Sequence, residues 1–360
     1  MIILFVGETW KGSSARSLCE SLTKIPDLIV DEVGEDQYLP RYCSLFLRII
    51  NRLIKPQQIS ELQRQIFIKA SALKPNVLMV YKGNGIPTET VNFAKQAGIF
   101  TVNIFPDYSP HAYGSRLQAA MGEYDLVVST KPFHPAGWGP IYGYSNLCVC
   151  VPHGYDPSVH YWSEPPPDEQ DFDVVMAASW RPQYETLMKA FCEGMRGQQV
   201  RVGLAGSGWE ARRGEFPTDW EFAGPLYGRA YGEWLRRGKI VIAPVHSEVM
   251  INDVQQPGDQ DTTRTYELAS SGCFFLHRRT PFAQTLYDEE TEVPMWDSPQ
   301  ELADLVKRFL PLGEQRRIMA AAAHRRAVPA YSVPMRAAEV VDHVRAGLFA
   351  HRDRFINRTV

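Results

Sequence analysis

Three short loops in the second half of the chain carry residues suited to one task, the holding of a diphosphate. The first is Ala178-Ser179-Trp180-Arg181-Pro182, the second Leu204-Ala205-Gly206-Ser207-Gly208, and the third runs from Asp259 through Asp261, Thr262, Thr263 and Arg264 to Glu267. Small residues let backbone N–H groups approach an anion closely, and a helix opening at Thr263 adds the positive end of its dipole. Arg181 and Arg264 offer planar guanidinium forks that match two phosphate oxygens at once. Each piece alone has a plain structural reading. Gly206-Ser207-Gly208 lacks the third glycine of a dinucleotide-binding turn and reads equally well as a strand-end turn. Arg181 beside a proline is, in isolation, a surface residue, and Asp261, Thr262 and Thr263 would cap any helix. The three weigh more together, because each adjoins a predicted strand and a parallel sheet would gather them at its carboxyl edge. Glu267 is then the acid beside the cradle, and paired ribose hydroxyls are one reason for a carboxylate there. Its plain alternative is an exposed helix residue.

The elements that must position these loops alternate as in a parallel α/β sheet. Predicted strands in the first half are Ile2–Val6, Val77–Tyr81, Phe100–Phe105, Leu126–Ser129 and Leu147–Val151. Predicted helices there include Ala15–Leu22, Ile59–Ala72 and Thr88–Ala97, the last stopped by Gly98. A polar, proline-rich stretch at Ser163-Glu-Pro-Pro-Pro167 follows, and alternation then resumes. Strands are expected at Val174–Ala177, Val200–Ala205, Ile240–Pro244 and Cys273–His277. Helices are expected at Tyr184–Gly194, Tyr227–Arg236, Thr263–Ser271 and Pro299–Phe309, and one long helical stretch from Glu314 to His351. The fold class read from this is α/β, with two Rossmann-like domains facing a cleft and a C-terminal helix returning to the first. The expected boundaries are 1–155 with about 335–360 for the first domain and 156–334 for the second.

Composition agrees with that reading. The chain has 360 residues, 44% hydrophobic and 22% charged, which suits two globular domains and excludes a disordered or fibrous protein. A net charge of −3 gives no global positive field for nucleic acid. No apolar run is long enough to cross a bilayer, and the six cysteines form no paired framework, so a cytoplasmic location is expected.

Several segments resemble a known family. Val151-Pro-His-Gly-Tyr-Asp156, Glu221-Phe-Ala-Gly-Pro225, the Thr263–Gly272 helix, the strand Cys273–His277, Met295–Ala303 and Arg316–Arg326 are similar to a GT-B glycosyltransferase. The match is to the C-terminal domain of the CgeB-like, spore-maturation-type group related to glycosyltransferase family 4, and it covers roughly Val151 to Val341. The resemblance implies transfer of a sugar from a nucleotide-diphosphate donor, a UDP or GDP sugar, to a hydroxyl acceptor such as a glycan, a lipid-linked sugar or a protein. It implies retention of configuration and no metal or other cofactor. The family's two carboxylates eight positions apart fall on Asp259, for the donor sugar, and Glu267, for the ribose; Asp261 is the alternative to Asp259. Asp259-Gln260-Asp261 is a D-x-D, but at a phosphate-facing helix start it reads as a sugar or ribose contact rather than a Mg²⁺ site.

In the first half, three loops follow strands. Gly7–Ser14 carries Glu8 and Gly12, Phe105–His111 carries Asp107 and His111, and Lys131–Pro140 carries His134. An inverting transfer needs a base, for which Asp107 and His111 are the candidates, whereas a retaining transfer lets the leaving phosphate take the proton. Glu8, Gly12 and His134 are acceptor-side candidates; against all five stands the ordinary role of such residues in turns and caps. Two basic segments, Arg41–Lys55 and the C-terminal helical stretch with Arg316, Arg317, Arg325, Arg326, Arg336 and Arg345, suit either peripheral docking on an anionic membrane or packing on their own sheets, the latter favoured. A sugar-nucleotide epimerase and a non-catalytic nucleotide-sugar-binding module are the competing functions.

Overall fold

The computed structural model describes residues 1–40, 45–167, 169–246, 248–251 and 253–356; for 45–50, 248 and 352–356 only the backbone is described. The basic segment Arg41–Lys55 therefore lies largely outside the described side chains. The chain divides into two compact units, Met1–Pro152 with Met250–Pro257 and Val333–Val360, and His153–Val249 with Gly258–Ser332.

In the first unit, β1 (Ile2–Gly7), β2 (Ile29–Gly34), β3 (Val77–Tyr81), β4 (Phe100–Phe105), β5 (Leu126–Ser129) and β6 (Leu147–Cys150) form one sheet in the order β2-β1-β3-β4-β5-β6. Every pairing is parallel. Successive residues of β1 feed opposite faces: Leu4 and Val6 join one core with Leu78 and Val80, while Ile3 and Phe5 join another with Val77 and Met79. A strand covered on both faces needs apolar residues throughout, which is why it reads as a continuous run. One face is closed by Leu62, Ile66 and Ala70 of the helix Leu45–Leu73 together with Val91 and Leu117. The other is closed by Leu18 and Leu22 and by Ala337, Val340, Val341 and Val344 of the helix Val333–Ile356. The last helix thus packs on the first sheet.

The second unit has β7 (Phe172–Ala177), β8 (Val202–Ala205), β9 (Glu221–Ala223), β10 (Gly238–Ala243), β13 (Phe275–Arg278) and β14 (Met295–Trp296); between β10 and β13 the chain forms a two-stranded sheet of β11 (Glu248–Ile251) and β12 (Val254–Pro257), whose residues from Met250 on belong to the first unit. Six of these make a parallel sheet in the order β14-β13-β10-β7-β8-β9. Counted along the chain this is the 3-2-1-4-5-6 order, and it reverses between β7 and β10. Ligands of such sheets sit outside the carboxyl ends of the strands at that reversal. Alternation again splits two cores, Val174, Met176, Ile240 and Ile242 on one face and Val175, Ala177, Val241 and Ala243 on the other.

Four expectations are corrected. The helix expected at Ile59–Ala72 extends over Leu45–Leu73. The loop expected at Lys131–Pro140 is mostly the helix His134–Tyr142. The single C-terminal helical stretch is two helices, Gly313–Ala327 and Val333–Ile356, because Pro329 has no N–H to donate and bars Val328 from helical geometry. Met250–Pro257, expected within the second domain, clusters with the first unit, where Gln256 Oε1 accepts from Ser109 Oγ at 2.9 Å. Among the described residues no helix is long and apolar enough to cross a membrane.

Candidate functional site

The helix Thr263–Ser270 starts at the carboxyl edge of the second sheet, and its first turn is fixed by a relay of hydrogen bonds. Thr262 N donates to Thr265 Oγ1 (3.0 Å), which lies 2.8 Å from His277 Nε2, while His277 Nδ1 lies 2.6 Å from the Arg278 carbonyl. A carbonyl only accepts, so Nδ1 carries the proton and Nε2 accepts from the Thr265 hydroxyl. His277 is fully buried, and burial pushes its pKa down to about 4, which keeps the ring neutral in this role. Tyr287 Oη adds a donor to the Thr265 carbonyl at 2.8 Å. Thr262 is the N-cap and Thr263 the first helical residue; the Thr262 amide is spent on Thr265 Oγ1 and the Thr265 amide on the Thr262 carbonyl, which leaves the amides of Thr263 and Arg264 without an intrahelical acceptor at the positive end of the helix dipole.

Arg264, one residue into that helix, lies across the reversal of strand order. Nη1 reaches the Ala177 carbonyl at the end of β7 (3.5 Å), and Nη2 donates to the Pro244 carbonyl just past β10 (3.2 Å). Its Nε is buried without a hydrogen-bond partner among the described residues. Burial works against the charge, but Tyr184, Tyr231, Glu267 and Asp259 outweigh it and raise the pKa, so the group stays cationic.

The loops after β7 and β8 are laced to each other. Ala178 N donates to the Ala205 carbonyl (2.9 Å), Trp180 N to the Ser207 carbonyl (2.8 Å), and Trp209 Nε1 to the Ala178 carbonyl (2.7 Å). Ser207 and Ser179 meet through their hydroxyls at 3.0 Å. Gly206 has φ +135°, and a Cβ there would stand 2.2 Å from the Ala178 oxygen. Its N–H is committed to the Ala223 and Gly224 carbonyls (both 3.1 Å), so Gly206 shapes the turn rather than offering an amide to a ligand. Gly208 (φ +92°) packs on Trp180. Arg181, exposed, is the N-cap of the helix Pro182–Gly194.

The carboxylates divide. Asp261 is fully buried and accepts from Tyr266 Oη at 2.6 Å, which makes it a packing element and ends its candidacy for a sugar contact. Asp259 is partly exposed, and its N–H donates to the His246 carbonyl at 2.8 Å. Glu267 is 9% exposed; its Oε2 accepts from Tyr231 Oη at 3.0 Å, and Oε1 stands 3.7 Å from His160 Nε2. Glu267 lies three residues from Arg264, on the same helix face. His160, Tyr231 and His246 were not singled out from the sequence. His246 follows β10, and its Nε2 is buried with no partner among the described residues; burial first, then the Arg181 charge, lower its pKa while Asp259 opposes them. The available signal was its place three residues past an apolar strand. Among the described residues no group of three or more His, Cys, Asp or Glu is placed to hold a metal ion.

The candidates of the first unit are mostly engaged. Asp107 forms an ion pair with Lys82 at 2.7 Å, and Lys82 also lies over the Tyr113 ring. His111 presents its ring edge-to-face with Tyr142, and its N–H donates to Ser109 Oγ. Glu8 Oε2 accepts from Trp10 Nε1 at 2.8 Å, and Gly12 is an exposed residue at φ +100°. His134, expected on the acceptor side, is instead fully buried among Phe105, Phe133, Trp138 and Tyr142. Its Nε2 donates to the Tyr108 carbonyl (2.9 Å), its Nδ1 takes the Ser129 hydroxyl (2.5 Å), and burial drives its pKa down to about 4.

Comparison with known proteins follows the same division. Residues 181–342 match the family model described as "Glycosyl transferase-like". No curated protein matches the chain. Among solved structures, the sucrose-phosphate synthase of Thermosynechococcus elongatus is similar at 13% identity with a TM-score of 0.70, over 97% of this chain and 99% of that one. Anabaena Alr3699/HepE in complex with UDP-glucose matches at 12% identity and TM-score 0.64, over 96% and 100%. MnaA of S. aureus, solved with UDP, matches at 11% identity and TM-score 0.56, over 96% of each chain. With its two six-stranded parallel sheets, the chain has the GT-B fold.

Proposed function

We propose that the protein is a glycosyltransferase that moves a sugar from a nucleoside-diphosphate donor, a UDP or GDP sugar, to a hydroxyl acceptor. The observation that carries the reading is the Arg264 guanidinium laid across the carboxyl ends of β7 and β10, with a buried Nε left unpaired beside a helix N-terminus. In this reading Arg264, Arg181, the hydroxyls of Ser179 and Ser207, the Gly208 turn and the helix start at Thr262 and Thr263, through the Thr263 amide, receive the diphosphate. Glu267, with Tyr231 orienting its carboxylate, takes the ribose hydroxyls, and Asp259 takes the sugar. The family match over residues 181–342 and the UDP complexes of two similar structures support this assignment.

The bond from the anomeric carbon to the diphosphate oxygen breaks while a bond from that carbon to the acceptor oxygen forms. Negative charge grows on the leaving diphosphate, and two guanidiniums with a helix dipole are placed to stabilise it, a role that needs no metal ion. For retention on the same face, the leaving phosphate oxygen takes the acceptor proton, so neither Asp107 nor His111 is required. The acceptor belongs to the class of glycans, lipid-linked sugars or proteins.

A thermal-shift series with UDP, GDP, ADP, TDP and CDP tests the donor site, because a ligand of the folded state alone raises its melting temperature. Stabilisation by one of them, followed by slow donor hydrolysis without acceptor, is expected; no stabilisation by any would overturn the reading. An epimerase is the second reading, since a putative UDP-N-acetylglucosamine 2-epimerase of Listeria monocytogenes shares the fold at TM-score 0.59. It would interconvert two sugar nucleotides with no acceptor present, whereas a binding module would hold the donor and release no nucleoside diphosphate.

A further inference from the structure

The second unit has another opening, at the edge of its sheet opposite to Arg264. A cavity of about 390 Å³ lies where three strands begin: Gln170 precedes β7, Lys239 is the second residue of β10, and Phe274 precedes β13. Strands of this length separate the two edges by roughly 20 Å. The volume falls in the range of small-molecule sites.

Its walls are apolar and its charges are unbalanced. Trp162, Phe274 and Ala320 supply apolar surface. Trp162 is held in place, its ring 4.0 Å from the Arg229 guanidinium and its carbonyl 3.2 Å from His324 Nε2, so that wall is preformed. Among the described residues four cations line the cavity, and Glu164 is the only lining acid. Two of the four are compensated, Lys239 by Asp173 at 2.7 Å and Arg317 by Glu314 at 2.7 Å.

The other two are not. Arg316 is partly buried and spends Nη1 on the carbonyls of Phe309 and Leu310, with no carboxylate in ion-pair reach among the described residues. Burial holds its pKa below the usual arginine value, opposed at longer range by the Asp173 charge that Lys239 already pairs. Arg325 stands exposed at the mouth with neither an ion pair nor a hydrogen bond among the described residues. A guanidinium set in an apolar wall without a counter-ion bears a desolvation cost that a bound anion returns.

We propose that this cavity binds a small organic anion, a carboxylate or phosphate head on an apolar body, with Arg316 and Arg325 on the head and Trp162, Phe274 and Ala320 on the body. The site is separate from the diphosphate cradle and does not depend on the proposed transferase activity.

The test is a fluorescence titration of the full chain with 8-anilinonaphthalene-1-sulfonate, an aromatic anion of the right shape, followed by displacement with octanoate and with octanol. Single-site binding is expected, with octanoate displacing the probe at least about tenfold better than octanol. Ala321→Trp, at an exposed position on the cavity rim, should weaken the probe by a similar factor and leave the melting temperature unchanged; Arg316→Gln should abolish the preference for the acid over the alcohol. Absence of binding, equal displacement by octanol, an unaffected Ala321→Trp protein, or competition by UDP would each overturn the proposal. Ala321→Trp carries the test if Arg316→Gln fails to fold.

Discussion

The two units are built from the same parallel α/β elements, yet they treat their polar residues differently at the strand ends. In the first, His134 follows β5 and is absorbed into an aromatic core, both ring nitrogens matched to Ser129 and Tyr108. In the second, His246 follows β10 and keeps a buried Nε2 with no partner, near Arg181 and Asp259. Asp107 is answered by Lys82, whereas Arg264, with Glu267 and Asp259 near enough to favour its charge, hydrogen-bonds main-chain carbonyls and among the described residues retains an unpaired Nε. At these strand ends the residues named are matched in the first unit and keep unspent hydrogen-bonding capacity in the second. Where that capacity collects at a reversal of strand order, a ligand is the physical reason to keep it.

The largest effect that would break this contrast is at Arg264. Arg264→Ala should remove nucleoside-diphosphate stabilisation in the thermal-shift assay and cut donor hydrolysis by about 100-fold or more, the scale of losing a desolvated charge contact. Arg264→Lys, which keeps the charge without the fork, should recover part of the binding; full activity in the alanine variant would remove the basis of the site. Next is the turn that joins the two loops. Gly206→Ala should lower stability by roughly 3 kcal/mol, because it combines an unfavourable φ with a clash against a backbone oxygen, and urea denaturation should register it.

The buried histidines sharpen the contrast through pH. His134 and His277 have folded pKa values near 4 against about 6.5 for a free histidine, so the unfolded chain binds more protons between those limits. Their contribution to stability is complete above pH 6.5 and is lost as pH falls toward 4, by roughly 3 kcal/mol for each ring. Chemical denaturation across that window should show the loss, and His134→Gln should flatten it without altering donor affinity. A His134→Gln protein of normal stability that binds acceptor poorly would return His134 to the acceptor side.

Smaller effects follow. Glu267→Gln should weaken binding of the nucleoside diphosphate by about tenfold, with the fold intact, since one charged acceptor of hydroxyls becomes neutral. Asp107→Asn and His111→Ala should each change donor turnover by less than about fivefold if the leaving phosphate takes the proton. A loss of about 10²-fold or more in either would instead mark a side-chain base and an inverting transfer.

Much of the framework was legible because buried parallel strands are apolar on both faces. The runs Val77–Tyr81, Phe100–Phe105 and Leu126–Ser129 coincide with the observed strands, and the helix Pro299–Phe309 does as well. β2 was not, since Ile29-Val-Asp-Glu-Val33 is an edge strand in which Val33 alone is buried and the rest are exposed or half-buried. The helix at His134 was hidden by its glycines and prolines, which read as a loop. Glu267 and Arg264 could be singled out by type and spacing, but Asp261 could not be told from a ligand-facing acid until Tyr266 was seen beneath it.

Sequence alone determined which segments bury themselves, and so the alternation of strands and helices, together with the residue types able to bind phosphate. Those are local properties, set by side-chain chemistry and by the periods of strand and helix. Only the tertiary structure decided the strand order, and with it the reversal between β7 and β10 that places Arg264. It also decided which polar groups found partners. Pairing between residues dozens of positions apart depends on how the sheet is assembled, and an isolated stretch of sequence carries no record of that.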